Sequence, residues 1–327
     1  MPDFVPIYST PEAAGLARFL LAHYALDDPL TCRLLSRGMN DVYRVAPASG
    51  PRYIFRLSHR RARGAPDVAT ETAFLAHLRR LGAPVAAAIA TREGSLFLRG
   101  DAAEGAREGV LFEALDGRDP VINSAADARA NGATLARIHN AAESFQAEAP
   151  LYRLDLDHLL RRPLARVLAS GVVEEASVRD DLAAIAERTG QRIEAFDGLS
   201  WTHCHGDCHG FNARISETGE AAFYDFDDGG PGYLAYDLSV FLWAKVSFGR
   251  KLIAMWEAFI DGYQAARSIS AQDLEAAQAF VIVRHFWLMG EYASRADEWG
   301  RDGVGWIARE TGFLKQWEDE RLDGRLF

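Results

Sequence analysis

Asp207, Asn212 and Asp225 are the residues of this chain whose types and spacing could do chemistry. They fall in His205-Gly206-Asp207-Cys208-His209-Gly210-Phe211-Asn212 and, shortly after, in Tyr224-Asp225-Phe226-Asp227-Asp228. Transfer of a phosphoryl group needs such a set. One carboxylate must sit beside the attacking hydroxyl, and an amide and a second carboxylate must hold Mg²⁺ against phosphate oxygens. Mg²⁺ takes oxygen ligands and keeps much of its shell as water and phosphate, so two or three protein groups suffice. Asp227 is a further candidate on the metal or the acceptor side.

Elements must position these groups. Leu199–Thr202 and Ala221–Asp225 are short runs that read as strands, joined through a turn at Thr218-Gly219. Upstream, Arg52–Leu57 alternates like a strand and carries Arg56, a candidate for the α- and β-phosphates. A lysine is excluded there, because the only lysines are Lys245, Lys251 and Lys315. A guanidinium offers phosphate a planar two-pronged fork, so the role is open to arginine. Asp67–Leu81 predicts a helix with an apolar stripe of Phe74, Leu75, Leu78 and Leu81, ended by Gly82. Glu71 in its first turn is placed to brace Arg56. Cys32–Val45 reads as strand, turn, strand, and its turn, with Ser36, Gly38 and Asn40, is a candidate phosphate-covering loop. An ordinary hairpin fits that turn equally.

The remaining pattern is strand-rich first and helical afterwards. Pro11–Tyr24 predicts a helix, Ser95–Arg99 and Gly109–Leu115 two strands, and Gly100–Glu108 a polar loop between them. The breakers Asp116-Gly117-Arg118-Asp119-Pro120 suggest a lobe boundary near residue 112, dividing 1–112 from 113–327, with the backbone around Glu113 and Leu115 meeting an adenine edge. Ala125–Ala142 predicts a helix, Asp155–Gly190 two more, and the chain from Tyr233 onward is helical. Six of the seven tryptophans lie in that last part; Glu291, Asp297 and Glu298 stand among Trp287, Tyr292 and Trp299 there, a combination suited to an ammonium group.

Composition narrows the function class. The 327 residues are 49% hydrophobic and 25% charged, proportions of a globular chain with room for two lobes. Residues 1–110 carry 14 Arg, no Lys and 11 Asp or Glu, a balance of +3, and the remainder stands at −13. A mildly basic first part suits a polyphosphate. The acidic second part argues against nucleic acid and accommodates an amine-bearing partner. Met1-Pro2-Asp3-Phe4 has no basic segment ahead of an apolar run, no run is long enough to span a bilayer, and three cysteines make no disulfide framework. A cytoplasmic protein with no membrane partner is expected. The sequence leaves the oligomeric state open.

His203, Cys204, His205, Cys208 and His209 also admit a zinc or cysteine-nucleophile reading, which leaves Asn212 and Asp225 without a role. The order His-x-Asp-x-x-x-x-Asn followed by Asp-Phe-Asp is that of protein kinases. With Gly206 after the histidine and Tyr236-Asp237-Leu238 downstream, the chain resembles the aminoglycoside phosphotransferase and choline kinase-like family. Tyr53–Leu57, Glu71 and Leu81-Gly82-Ala83-Pro84-Val85 extend the likeness over roughly residues 30–245. The motif version His-Gly-Asp-Cys-His is most similar to stress-response kinase A and type II homoserine kinases. The resemblance implies an α+β, bilobal protein-kinase-like fold: an N-terminal antiparallel sheet lobe and a larger, mainly helical C-terminal lobe. It also implies ATP and Mg²⁺ as cofactors and a small-molecule hydroxyl as acceptor. Asp207 would be catalytic, Asn212, Asp225 and Asp227 would lie on the metal side, and His205 and Asp237 would brace the loop. A Ser/Thr protein kinase and a nucleotide-binding pseudokinase are the alternatives. Arg56 in place of lysine, and Phe211 and Ala213 around Asn212, depart from the common pattern.

Overall fold

A computed structural model describes residues 6–59, 65–147 and 153–322; Met1-Pro2-Asp3-Phe4 lies outside them. The chain forms two compact units: Met1–Arg118 with Ser144–Leu151 and Ala222–Asp227, and Asp119–Glu143 with Tyr152–Ala221 and Asp228–Phe327. The return of Ala222–Asp227 to the first unit matters, because it carries Asp225 and Asp227 there.

The first unit is built on a five-stranded antiparallel sheet. Its strands are β1 (Leu30–Arg37), β2 (Asn40–Pro47), β3 (Tyr53–Ser58), β4 (Leu98–Ala102) and β5 (Gly105–Glu113), in the order β1-β2-β3-β5-β4. Helix α1 (Ala13–His23) starts where the Glu12 carboxylate accepts the N–H groups of Ala14 and Gly15. Its Leu16, Ala17 and Leu20 pack with Tyr43, Val45, Phe55 and Leu111 of the sheet into one buried cluster. Helix α2 (Ala65–Arg80) buries Phe74, Leu75 and Leu78 as its periodicity predicts. Leu81 does not join them and is 51% exposed. The helix stops at Arg80, and the Ala83 N–H closes back on the Leu78 carbonyl with Gly82 at φ 76°, which turns Leu81 outward.

The hairpin β4–β5 corrects the sequence reading. Gly100–Glu108 is not a loop. Its two arms pair from Leu98↔Gly109 to Ala102↔Gly105, leaving only Ala103 and Glu104 to turn. The predicted strand at Ser95–Arg99 accordingly begins later, at Leu98. β4 is an edge strand whose residues alternate between half-buried and exposed, so its composition stays polar and small.

The second unit contains helices α3 (Ala125–Ala142), α4 (Arg162–Ala169) and α5 (Ala176–Glu194), then the short strand β6 (Trp201–Cys204). β7 (Ala213–Ile215) and β8 (Ala221–Phe223) follow, and β9 (Gly230–Tyr233) pairs antiparallel with β6. Helices α6 (Leu234–Val246), α7 (Ile253–Gln264), α8 (Ala271–Ala293), α9 (Ala296–Val304) and α10 (Thr311–Trp317) complete the unit. α6 is buried along its whole length and α8 along most of it, as expected of helices that are apolar nearly all round. α3 and α7 cross at van der Waals distance through two glycines. A Cβ on Gly132 would lie 1.9 Å from the Phe259 carbonyl oxygen, and one on Gly262 2.1 Å from that of Arg129. Backbone is on the far side of both contacts, so neither can be relieved by a side-chain rotation.

Gly132→Ala is therefore expected to force α3 and α7 apart and cost about 2–3 kcal/mol, typical of overpacking. A urea titration of the variant checks this, with the midpoint falling and the slope unchanged.

Candidate active site

The loop after β6 is held by one carboxylate. Asp237, on α6 and fully buried, accepts the N–H groups of His205 at 2.7 Å and Gly206 at 2.8 Å, and bonds His139 Nε2 of α3 at 2.9 Å. Burial alone would raise its pKa. The hydrogen bond and charge of His139, followed by His205, bring it below the ordinary carboxylate value. Gly206 is required at φ 85°, where a Cβ would meet the Asp228 carbonyl oxygen at 2.1 Å. The turn carries Asp207 with its N–H on His205 Nδ1 at 3.2 Å.

Three groups address the Asp207 carboxylate. Asn212 Nδ2 donates to its Oδ2 at 2.9 Å and to its main-chain oxygen at 3.0 Å. His209 Nε2 lies 3.6 Å from Oδ2. The guanidinium of Arg284, on α8, pairs directly with Oδ1. With both Asn212 contacts made through nitrogen, its amide oxygen is left to accept nothing from this loop and is available to a cation. The side chain of Asp207 keeps partial exposure while Arg284 is nearly sealed, with Trp287 and Trp243 ring centres 4.3 and 5.1 Å away. Burial, then the charges of Arg284 and Lys245, pushes His209 down to about 3, so its ring is neutral at physiological pH.

In the first unit a second cluster forms. Arg56 on β3 meets Glu71 on α2 in a two-pronged pair, Nη1 to Oε1 at 2.8 Å and Nη2 to Oε2 at 2.5 Å, both side chains buried. Its Nη1 is also 3.6 Å from Asp225 Oδ1. Burial opposes the charge on Arg56, and Glu71, then Asp227, outweigh it, so its pKa is raised. Asp225 sits at φ 67°, in the left-handed region that aspartate tolerates better than most residues, with its side chain 39% exposed. Asp227 accepts from Asn40 Nδ2 at 2.8 Å. The sequence-predicted Arg56, Glu71, Asn40, Asp225 and Asp227 thus come together, as do Asp207, Asn212, His205 and Asp237 in the other unit. Ser36 and Gly38 lie at the β1–β2 hairpin, where Ser36 pairs with Val42 past a bulge and the Gly38 N–H returns to the Asn40 carbonyl at 3.1 Å. Glu113, at the end of β5, pairs with Arg79 at 3.0 Å, and Leu115 follows it half-buried.

Each unit offers a donor of the kind Mg²⁺ takes: in the first a carboxylate of Asp225 with exposed surface, in the second an Asn212 amide oxygen turned away from its own hydrogen bonds. Zinc finds less. Cys208 Sγ is 2.8 Å from the Asp237 carbonyl oxygen, and burial, then Asp237, raises both Cys204 and Cys208 well above the usual thiol value, which keeps them protonated. No group of three or more His, Cys, Asp or Glu poised for a metal occurs among the described residues. The acid–aromatic cluster predicted for an ammonium is already engaged. Glu291 pairs with Arg166 at 2.7 Å and Glu298 with Arg295 at 3.7 Å, Asp297 is exposed, and Trp287 and Trp299 carry Arg284 and Arg295 on their rings.

A model of the phosphotransferase enzyme family matches residues 31–280. The chain belongs to that family. A Deinococcus radiodurans protein of uncharacterized function is 39% identical over 323 residues, covering 97% of this chain and 93% of its own. A Neisseria meningitidis homoserine kinase is 27% identical over 219 residues, covering 65% of this chain and 67% of its own. Among solved structures, the microcompartment-associated aminopropanol kinase superposes with a TM-score of 0.78 at 21% identity, covering 94% of this chain and 98% of that one. The amicoumacin kinase hAmiN, in complex with AMP-PNP, Ca²⁺ and Ami, gives 0.75 at 19% identity, covering 93% and 92%. The bilobal protein-kinase-like fold expected from the sequence is therefore the fold of this phosphotransferase-family chain. No helix of the described residues is long and apolar enough to cross a membrane.

Two residues of this family member escaped the sequence reading. Arg284 and Lys245 lie far from the motif, and spacing does not point to them. A signal exists nevertheless: each is a lone cation inside an apolar helical run, Phe280-Val281-Ile282-Val283-Arg284 and Phe241-Leu242-Trp243-Ala244-Lys245-Val246. Lys245 is 3% exposed, and burial, then Arg250, pushes its pKa from 10.5 down to about 8. Its folded-state value is depressed, so the unfolded chain holds the extra proton between pH 8 and 10.5 and stability rises with pH across that window. Lys245→Met is expected to raise stability at pH 7 by on the order of 2–3 kcal/mol, with the gain shrinking toward pH 10.5. Thermal melts of both proteins across that range check the sign.

Proposed function

We propose that this phosphotransferase-family chain is a kinase that moves the γ-phosphoryl group of ATP, with Mg²⁺, to a hydroxyl of a small molecule. The observation that carries the reading is the Asp207 carboxylate, fixed by Asn212 and Arg284 on a loop that Asp237 clamps from beneath. A carboxylate so held can accept a hydrogen bond from an incoming hydroxyl and take its proton as the oxygen–phosphorus bond forms. Arg284 aims Asp207 by pairing with its Oδ1, and the neutral His209 adds no competing positive charge beside it.

Asn212 and Asp225 would hold Mg²⁺, which when bound neutralises phosphate charge. Arg56 presents a guanidinium that Glu71 orients from one side, leaving its Nε without a hydrogen-bond partner among the described residues. That arrangement suits the α- and β-phosphates. These groups act by position and charge, because the phosphoryl-transfer transition state is loose and offers little covalent work. Asp227, tied to Asn40, would set the height of the β1–β2 hairpin over the nucleotide. The hAmiN structure names an ATP analogue, and the aminopropanol and homoserine kinases name small alcohols; these support the nucleotide and acceptor class proposed here. A cytoplasmic location is part of the same reading.

Asp207→Asn is expected to lower kcat by at least about a thousandfold while ATP affinity changes less than about threefold. Arg56→Met should raise the KM for ATP about tenfold or more. The assay is transfer of label from γ-labelled ATP into a metabolite extract. Label entering polypeptides instead would favour a protein kinase, and undiminished turnover in Asp207→Asn would remove the assignment.

A further inference from the structure

A buried ammonium without a partner is costly, and Lys245 is one. It makes neither a hydrogen bond nor an ion pair among the described residues. Its Nζ lies 4.4 Å from the centre of the Phe241 ring and 4.9 Å from that of Phe211, which leaves the charge only ring faces for company. It is also beside the catalytic loop, since a Cβ on Gly210 would be 3.3 Å from Nζ. Apolar side chains would fill this position more stably, so the structure retains a charge that the fold does not use.

Arg284 approaches the same loop from α8. It is 2% exposed, spends one nitrogen on Asp207, and leaves Nε unbonded. His209, on the loop itself, feels both charges. Further along, just past the end of α6, a cavity of about 440 Å³ is bordered by Arg250, Lys251, Arg309 and Arg321 against two carboxylates, Glu310 and Glu320. Arg250, one of these cations, is close enough to act on the Lys245 charge. The overall acidity of the second part of the chain does not extend to this place.

We propose that Lys245, with Arg284 against the same loop, forms an anion subsite for the acceptor, which is a hydroxyl compound bearing a carboxylate or a phosphoester. The proposal rests on the kinase reading above and sharpens it, since it selects anionic alcohols over the amine-bearing ones the sequence pattern suggested. An anion there would receive the ammonium's hydrogen bonds in a site poor in water, where a charge-assisted bond is strong. Its hydroxyl would then be directed to the loop that carries Asp207. Phe211, 37% exposed, would cover the apolar part of such a molecule.

The test is a binding experiment that needs no turnover. The intact protein is titrated at constant ionic strength with glycerate, glycerol 3-phosphate, aminopropanol and choline, followed by the fluorescence of Trp243 and Trp287, which frame Arg284. One of the two anions should bind at least about tenfold more tightly than both amines, and which one it is separates carboxylate from phosphoester. Lys245→Met should weaken that anion at least about tenfold, Lys245→Arg should keep it within about threefold, and ATP affinity should stay constant in both. Thermal melts show that each variant is folded. Tighter binding of an amine, equal anion binding by Lys245→Met, or no anion binding at all overturns the proposal. Failure of the kinase reading is seen separately, as label transfer that survives Asp207→Asn.

Discussion

Asp237 is a charge with no water around it, and its two oxygens take up the backbone of the loop that matters. Removing a carboxylate from solvent is expensive, and the expense is met only because two N–H groups and one imidazole converge on it. The arrangement ties three pieces of the second unit together: α6 through Asp237, α3 through His139 and the β6 end through His205 and Gly206. Tyr263 on α7 bonds the other imidazole nitrogen at 2.7 Å, which extends the chain of contacts to the helix that crosses α3 at Gly132. A loop anchored in this way has little conformational freedom. It presents Asp207 at a fixed place.

The two units solve the same electrostatic problem in different ways. In the first, Arg56 is a buried cation matched by a buried carboxylate at two points, and the pair is nearly closed. In the second, Arg284 is a buried cation matched to a carboxylate that keeps some exposure. Breaking either pair by removing one partner leaves an uncompensated buried charge, which typically costs about 3–5 kcal/mol. The proposed function asks opposite things of the two pairs. Arg56 would face a polyanion, and Glu71 takes only one edge of it; Asp207 would face a hydroxyl, and Arg284 takes only one oxygen of it.

Much of this was legible in the sequence, for a physical reason. Asp207, Asn212 and Asp225 sit at fixed spacings because short loops between β-strands constrain them, and α3 was readable to its ends because Ser124 caps it and its apolar positions recur at helical period. What failed to show was set by pairing over distance. The hairpin β4–β5 hid behind small and polar residues, since an edge strand buries little and carries no strong alternation. Leu81 looked like the next residue of an apolar stripe, but the stripe ended with the helix. The acid–aromatic cluster around Glu291 matched an ammonium in composition, and the fold had already given it Arg166. Composition within a window says nothing about which partner a distant segment will bring.

Arg284 and Lys245 show the converse. Each stands in a helical run where every neighbour argues for an apolar residue, and α6 and α8 would bury more favourably without them. For Arg284 the structure supplies the answer, the carboxylate of Asp207. For Lys245 the described residues supply only ring faces and another cation, Arg250, whose effect is to make the charge still less welcome. A polar residue that the local pattern rejects and the fold leaves unmatched marks a place where stability was surrendered to something else. Its position against Gly210, in the loop that carries Asp207 and Asn212, is what the proposed anion subsite needs: a negative charge would arrive there with the substrate and leave with the product.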